Sequence, residues 1–185
     1  DNAWKGYLEE ARKPIILNPK QGYLITANNK IVPEDFPYYV SCDFDVPFRY
    51  QRIEELLLQR DRHTVDSLKR VQNDVYSKRA ELFLRAIKAL NPADAKARKA
   101  QEILRGWNGE MTAGKEAAVF MAFINRLEQN VLAGELSAEY KNFSVIFYRK
   151  QAGLLRSLSD PVLPWSSPAG PDSAKAREGA FESSL

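Results

Sequence analysis

The sequence predicts a mainly α protein that opens with a short N-terminal β pair, and three observations carry this prediction. Apolar residues recur at helical spacing from Ile53 to Leu158, two brief β-branched or aromatic runs precede Asn28, and Pro33, Pro37 and Pro47 interrupt the stretch between. Pro14-Ile15-Ile16-Leu17 and Gly22-Tyr23-Leu24-Ile25-Thr26-Ala27 read as two strands joined by a tight turn at Asn18-Pro19-Lys20-Gln21. Asn28-Asn29-Lys30 stops the second strand. Each of the three prolines then removes a backbone donor and biases its predecessor away from helix, so residues 30–47 form a long irregular loop.

Helices follow. Ile53, Leu56 and Leu57 mark the first, and Val65, Leu68, Val71 and Val75 the second, after a Thr64 N-cap. Ser77 caps a third, with Ala80, Phe83, Leu84 and Ile87 inward, ending at Leu90. Asn91 as N-cap with Pro92 at the first helical position predicts a fourth, closed by Trp107-Asn108-Gly109. Ala117, Phe120, Met121, Ile124, Leu127 and Val131 define a fifth that stops at Gly134, and Ser137 starts a last one with Tyr140, Phe143, Phe147, Leu154 and Leu158 inward. After Asp160, prolines, serines and glycines give a segment too poor in apolar area to offset its chain entropy, expected to be mobile or docked on something outside it.

Composition narrows the chemistry. The chain has 185 residues and a formal charge of +3, and no window approaches the ~18 apolar residues a membrane helix requires. Its start lacks the basic and apolar regions of a secretory signal, which fits a mature or a truncated terminus. One Cys (Cys42) and one His (His63) exclude a Cys/His zinc cluster and an intrachain disulfide. His63 lies in the solvated run Arg60-Asp61-Arg62-His63-Thr64, a poor setting for a catalytic imidazole. Lys96, Arg98, Lys99 and Arg105 are too dispersed a basic set to point to nucleic acid.

The most informative stretch is Asn18-Pro19-Lys20-Gln21-Gly22-Tyr23 followed by Thr26-Ala27-Asn28-Asn29. An Asn pair after a strand is ordinarily a turn, because Asn tolerates left-handed backbone. The functional reading uses the side-chain amide, whose NH2 at a strand end can be aimed at the oxyanion of a tetrahedral intermediate, a donor worth ~3 kcal/mol of barrier. Arg49 and Arg52 read as helix-start charges pairing with Asp45, Glu54 or Glu55. Glu34, Asp35, Asp43 and Asp45 offer oxygen ligands without EF-hand spacing.

These segments, with Phe36-Pro37-Tyr38-Tyr39 and Pro47-Phe48-Arg49-x-x-Arg52-Ile53-x-x-Leu56-Leu57, resemble the penicillin amidase (penicillin acylase) family of N-terminal nucleophile hydrolases. Leu104-Arg105-Gly106-Trp107-Asn108-Gly109-Glu110-Met111 is similar to that family's Gly-Trp-Asp/Asn-Gly segment. The resemblance covers about residues 4 to 160 and is strongest over 14–57. It implies that Asn28 is the side-chain oxyanion donor and Arg49 the arginine that positions the nucleophile's amino group and the substrate. It also implies a precursor that cuts itself to expose a Ser, whose hydroxyl attacks and whose α-amino group acts as base.

Residue 1 is Asp, and that family's nucleophile lies well upstream of the strand pair, so the expected reading is an internal piece of the large subunit, inactive alone. Residues 1–50 would belong to the αββα core, 51–160 to a helical lobe, and 161–185 to a tail or connector. The implied partners are the small subunit, the rest of the large subunit and a small-molecule acyl amide, with no nucleic acid and no membrane span. No cofactor is implied. Relatives of this kind often hold a structural calcium through an aspartate, but the matching positions are Tyr39 and Val40, so no metal ligand is assigned. The resemblance suggests a periplasmic or secreted location. The rival reading is a self-contained helical interaction module, with Asn28 a turn residue and Arg49 a surface charge.

Overall fold

A computed structural model describes residues 6–132 and 184–185. Its regular elements among these are a single 3-10 turn, Glu10–Arg12, and five helices: α1 Phe48–Leu57, α2 Val65–Gln72, α3 Lys78–Ala89, α4 Ala95–Arg105 and α5 Lys115–Leu132. The helix expected from Ser137 and the stop at Gly134 lie outside the described residues, as do Phe143, Phe147 and nearly all of 161–185.

The expected strand pair does not form among the described residues. Residues 14–17 and 22–27 make no ladder with one another, and their turn keeps one backbone bond, Gly22 N–H to Pro19 O at 2.9 Å. The physical reason is visible in their side chains. Ile15, Ile16, Leu17 and Leu24 are all more than half exposed, so no neighbouring layer compensates the cost of ordering a sheet.

The helices form as their caps dictate. Thr64 and Ser67 make a capping box at α2, and the Ser77 side chain accepts from Ala80 N–H at α3. Asn91 is not the cap of α4. Asp94 is, its Oδ1 accepting from Lys96 N–H at 2.8 Å and Ala97 N–H at 3.0 Å. Pro92 is instead buried in the connector, where the Gln101 amide donates to Ile87 O and Leu90 O and so closes the end of α3. The carboxyl of Asp94 is held below its ordinary pKa by those backbone donors.

The core lies between α3, α4 and α5. Phe83, Ile87, Leu104, Phe120, Phe123, Ile124 and Leu127 are fully buried, with Phe83 meeting Phe120 and Phe123 at 6.3 Å and Trp107 meeting Phe120 at 5.2 Å. α1 packs on α3 and α2. The expected inward stripe of α2 is a second correction: Val65, Leu68 and Val75 are exposed, and Ser67 is the residue α2 buries. At eight residues, α2 is anchored by its cap and by His63, whose ring nitrogens meet Ser67 Oγ at 3.1 Å and Leu57 O at 2.9 Å. That places His63 as a brace between α1 and α2. At the far end, Ser184 is buried against Asn130 of α5 at 2.9 Å and Leu185 packs on the core, so these last residues are docked.

The Trp107–Met111 segment joins the lobe to the α2–α3 link. Ser77 N–H donates to Gly109 O at 2.9 Å, Met111 N–H to Val75 O at 2.8 Å, and Trp107 Nε1 to Glu110 O at 3.1 Å. Gly109 has φ +90°, a backbone conformation that L side chains rarely adopt, which accounts for glycine here.

Candidate active site

Ala27, Asn28 and Asn29 end the N-terminal extended segment, and the structure folds them onto the start of α1. Asn28 has φ +59°, a left-handed conformation that Asn tolerates. Its carbonyl accepts from Asp45 N–H at 2.7 Å, which ties the turn to the residues leading into α1. Arg49, on the first turn of α1, reaches back: its Nη2 donates to Asn28 Oδ1 at 2.6 Å, Ala27 O at 2.9 Å and Asp45 Oδ2 at 3.1 Å. The two residues singled out in the sequence, twenty-one positions apart, are therefore in direct contact.

The neighbouring asparagines differ in what their amides do. Asn29 Oδ1 accepts from Ala27 N–H at 3.0 Å and its Nδ2 donates to Lys30 O at 3.0 Å, so that side chain is spent on the loop. Asn28 Oδ1 is held by Arg49, while its Nδ2 donates to no group among the described residues. With Oδ1 bound to a cation, the amide's orientation is fixed and its NH2 is available to an incoming acceptor. Ala27 is buried while Asn28 is exposed, so the donor stands at the surface on a fixed base.

A contact between Tyr23, Tyr50 and Glu54 that sequence reasoning did not anticipate holds this turn against α1. Tyr23 and Tyr50 hydroxyls both donate to Glu54 Oε1, at 2.9 and 3.0 Å, which clamps the extended segment to the helix. Both phenols are raised above their ordinary pKa, chiefly because the hydroxyl proton is held by that carboxylate. Arg52 reaches the expected Glu55, but its main partner is Asp74. It grips Asp74 with two bonds of 2.8 Å and lies 4.5 Å over the Tyr76 ring, and only then reaches Glu55 at 3.4 Å. The guanidinium in turn holds the Asp74 carboxyl below its usual range. Lys78 bridges Glu55 and Glu81, each at 2.7 Å, so α1 and α3 share one charge network. The only sequence signal for these contacts was the residue types themselves.

Arg49 and Asp45 are among the residues that line a cleft of about 860 Å³, together with residues of α1, the α2–α3 link, Met111 and Met121. Phe48, Ile53 and Leu56 give it a largely apolar wall. The acidic residues of the 34–45 loop do not converge: no group of three potential metal ligands occurs among the described residues, and the Asp45 oxygens are engaged by Arg49 and by Val46 N–H at 2.8 Å. Tyr39 accepts a backbone bond from Cys42 at 3.0 Å. These residues do not fit a calcium site.

The family model described as penicillin amidase matches residues 1–183. Among curated proteins, the chain is 30% identical over 135 residues to penicillin acylase 2 proenzyme of Pseudomonas sp. strain SE83, covering 72% of this chain and 17% of that protein. It is 28% identical over 155 residues to the acyl-homoserine lactone acylase QuiP of Pseudomonas aeruginosa, covering 74% and 18%. The QuiP of a Pseudomonas fluorescens strain is 25% identical over 150 residues, again covering 74% and 18%. The chain thus spans less than a fifth of the length of these relatives.

Proposed function

The chain belongs to the penicillin amidase family, and from that premise we propose that it is a segment of an amide hydrolase that removes an acyl group from an amine, with Asn28 as oxyanion donor. The observation that carries the reading is the 2.6 Å bond from Arg49 Nη2 to Asn28 Oδ1, which leaves Asn28 Nδ2 to donate. A preset donor lowers the barrier because no reorganisation is needed when the carbonyl oxygen becomes an anion. Arg49 fixes that donor and keeps a positive charge beside the site.

The nucleophile in this reading is the N-terminal Ser of a self-cleaved precursor, supplied by a segment outside these residues. Its hydroxyl attacks the amide carbon, its α-amino group takes the proton and passes it to the leaving amine, and water releases the acyl group. The substrate class is a small-molecule acyl amide. The relatives named for penicillin and for acyl-homoserine lactones support that class without selecting a member of it. The partners are the other segments of the same precursor, the small subunit and the rest of the large one, whose packing would cover Ile15, Ile16, Leu17 and Leu24 and extend them into the αββα sheets. This segment alone is then inactive.

The test is a pair of variants in the full-length processed enzyme. Asn28→Ala should cut kcat by roughly a hundredfold or more with little change in melting temperature. Asn29→Ala should do the reverse, lowering melting through two lost loop bonds while sparing more of the turnover. Wild-type kcat in Asn28→Ala would remove Asn28 from the mechanism.

A further inference from the structure

The geometry points to Asp45 as a positioning residue: we infer that it holds Asn28 and Arg49 in register for the acyl-transfer reaction, an inference that rests on the function proposed above. Asp45 touches both residues. Its main-chain N–H donates to Asn28 O at 2.7 Å, and its Oδ2 accepts from Arg49 Nη2 at 3.1 Å. Its other oxygen, Oδ1, accepts from Val46 N–H at 2.8 Å, which fixes the carboxylate plane on the backbone just before α1.

The consequence follows from counting donors. Arg49 Nη2 carries two hydrogens and faces three acceptors, of which Asp45 is the one carboxylate among the described residues. The Arg49 side chain is 58% exposed and that of Asp45 only 16%, so the carboxylate is the fixed half of the pair and the guanidinium the half that needs fixing. With its guanidinium largely in solvent, this ion pair contributes little to stability. Its effect is instead directional, because the same Nη2 sets the orientation of the Asn28 amide. Asp45 therefore acts on the oxyanion donor by two routes, through the backbone of Asn28 and through the side chain of Arg49.

The experiment uses the full-length processed enzyme, its two chains verified by intact mass, with a chromogenic acyl anilide as substrate. Asp45→Asn preserves shape and an acceptor for Val46 but removes the charge. It should lower kcat by about tenfold, below the roughly hundredfold that a 1 Å misplacement can cost, with KM changed less than about twofold and melting nearly unchanged. In an Arg49→Ala background the same substitution should cost almost nothing further, since the side-chain route runs through Arg49. Asp45→Ser, which can also accept from Val46, gives the same comparison if Asp45→Asn fails to mature. Wild-type kcat in the single variant would overturn the inference, as would an undiminished tenfold loss in the Arg49→Ala background. A silent Asn28→Ala variant would instead overturn the proposed function, so the two failures are distinguishable.

Discussion

The helical lobe and the extended segment before it are stabilised in opposite ways. Between Lys78 and Leu132, three helices bury a continuous aromatic and aliphatic core and close their ends with Ser77, Asp94 and Gln101. Between Gly6 and Pro47, the buried hydrophobic residue is Ala27, and order comes from individual hydrogen bonds such as Tyr23 to Glu54 and Asp45 to Asn28. The lobe buries its own apolar side chains, whereas the extended segment that bears the candidate site leaves Ile15, Ile16, Leu17 and Leu24 exposed among the described residues.

The largest effect is expected from Phe120→Ala. Phe120 is fully buried against Phe83 and Trp107, so the variant should lose ~3–5 kcal/mol of stability in chemical denaturation. Wild-type stability would mean the lobe does not depend on that core. Gly109→Ala comes next, at about 1–2 kcal/mol, because the left-handed backbone is strained for any Cβ. The added methyl itself meets its neighbours at ordinary distances of 3.5 Å or more, so a much larger loss would point to packing instead.

A pH series sharpens the lobe further. Glu81 is held at about 2, from an ordinary 4.5, first by Lys78, then by Tyr76 and Arg85. A depressed carboxyl stabilises the fold above its unfolded pKa and loses that contribution as pH falls through the folded value. Wild type should therefore exceed Glu81→Gln by on the order of 1 kcal/mol at pH 6, after allowing for solvent screening. The gap should close between about pH 4.5 and 2. A gap independent of pH would exclude charge as its origin.

The smallest effect is expected from Leu17→Ser. Leu17 is 82% exposed, so in the 185-residue chain the change should stay within about 0.5 kcal/mol. In the full-length enzyme it should cost more. Equal effects in both would mean that no other segment covers this face.

Much of the lobe was legible in the sequence. Ala80, Phe83, Leu84 and Ile87 fall on one helical face, and so do Phe120, Ile124 and Leu127, because a 3.6-residue period is a local property of the chain. Phe123 escaped that reading although it follows Phe120 by three. The same period misled at α2, where Val65 and Leu68 share a face that nothing among the described residues covers. Asn91-Pro92 carried a good local start signal for α4, but Pro92 is buried and Gln101 occupies the preceding carbonyls, so the helix begins after Asp94. The strand pair was a fair local reading that lacked a neighbouring layer.

From the sequence came the helical faces of the lobe, and Asn28 and Arg49 as candidates that the family resemblance singled out from what would otherwise read as a turn residue and a helix-start charge. The tertiary fold brings the two into contact, leaves the Asn28 amide NH2 and not that of Asn29 without an acceptor among the described residues, and bonds Asp45 to both Asn28 and Arg49. The physical reason is range. Helical periodicity and caps act within a few residues, whereas a hydrogen bond between Arg49 and Asn28 exists only after the loop from Lys30 to Pro47 has closed, and its closure is set by contacts that no local pattern encodes.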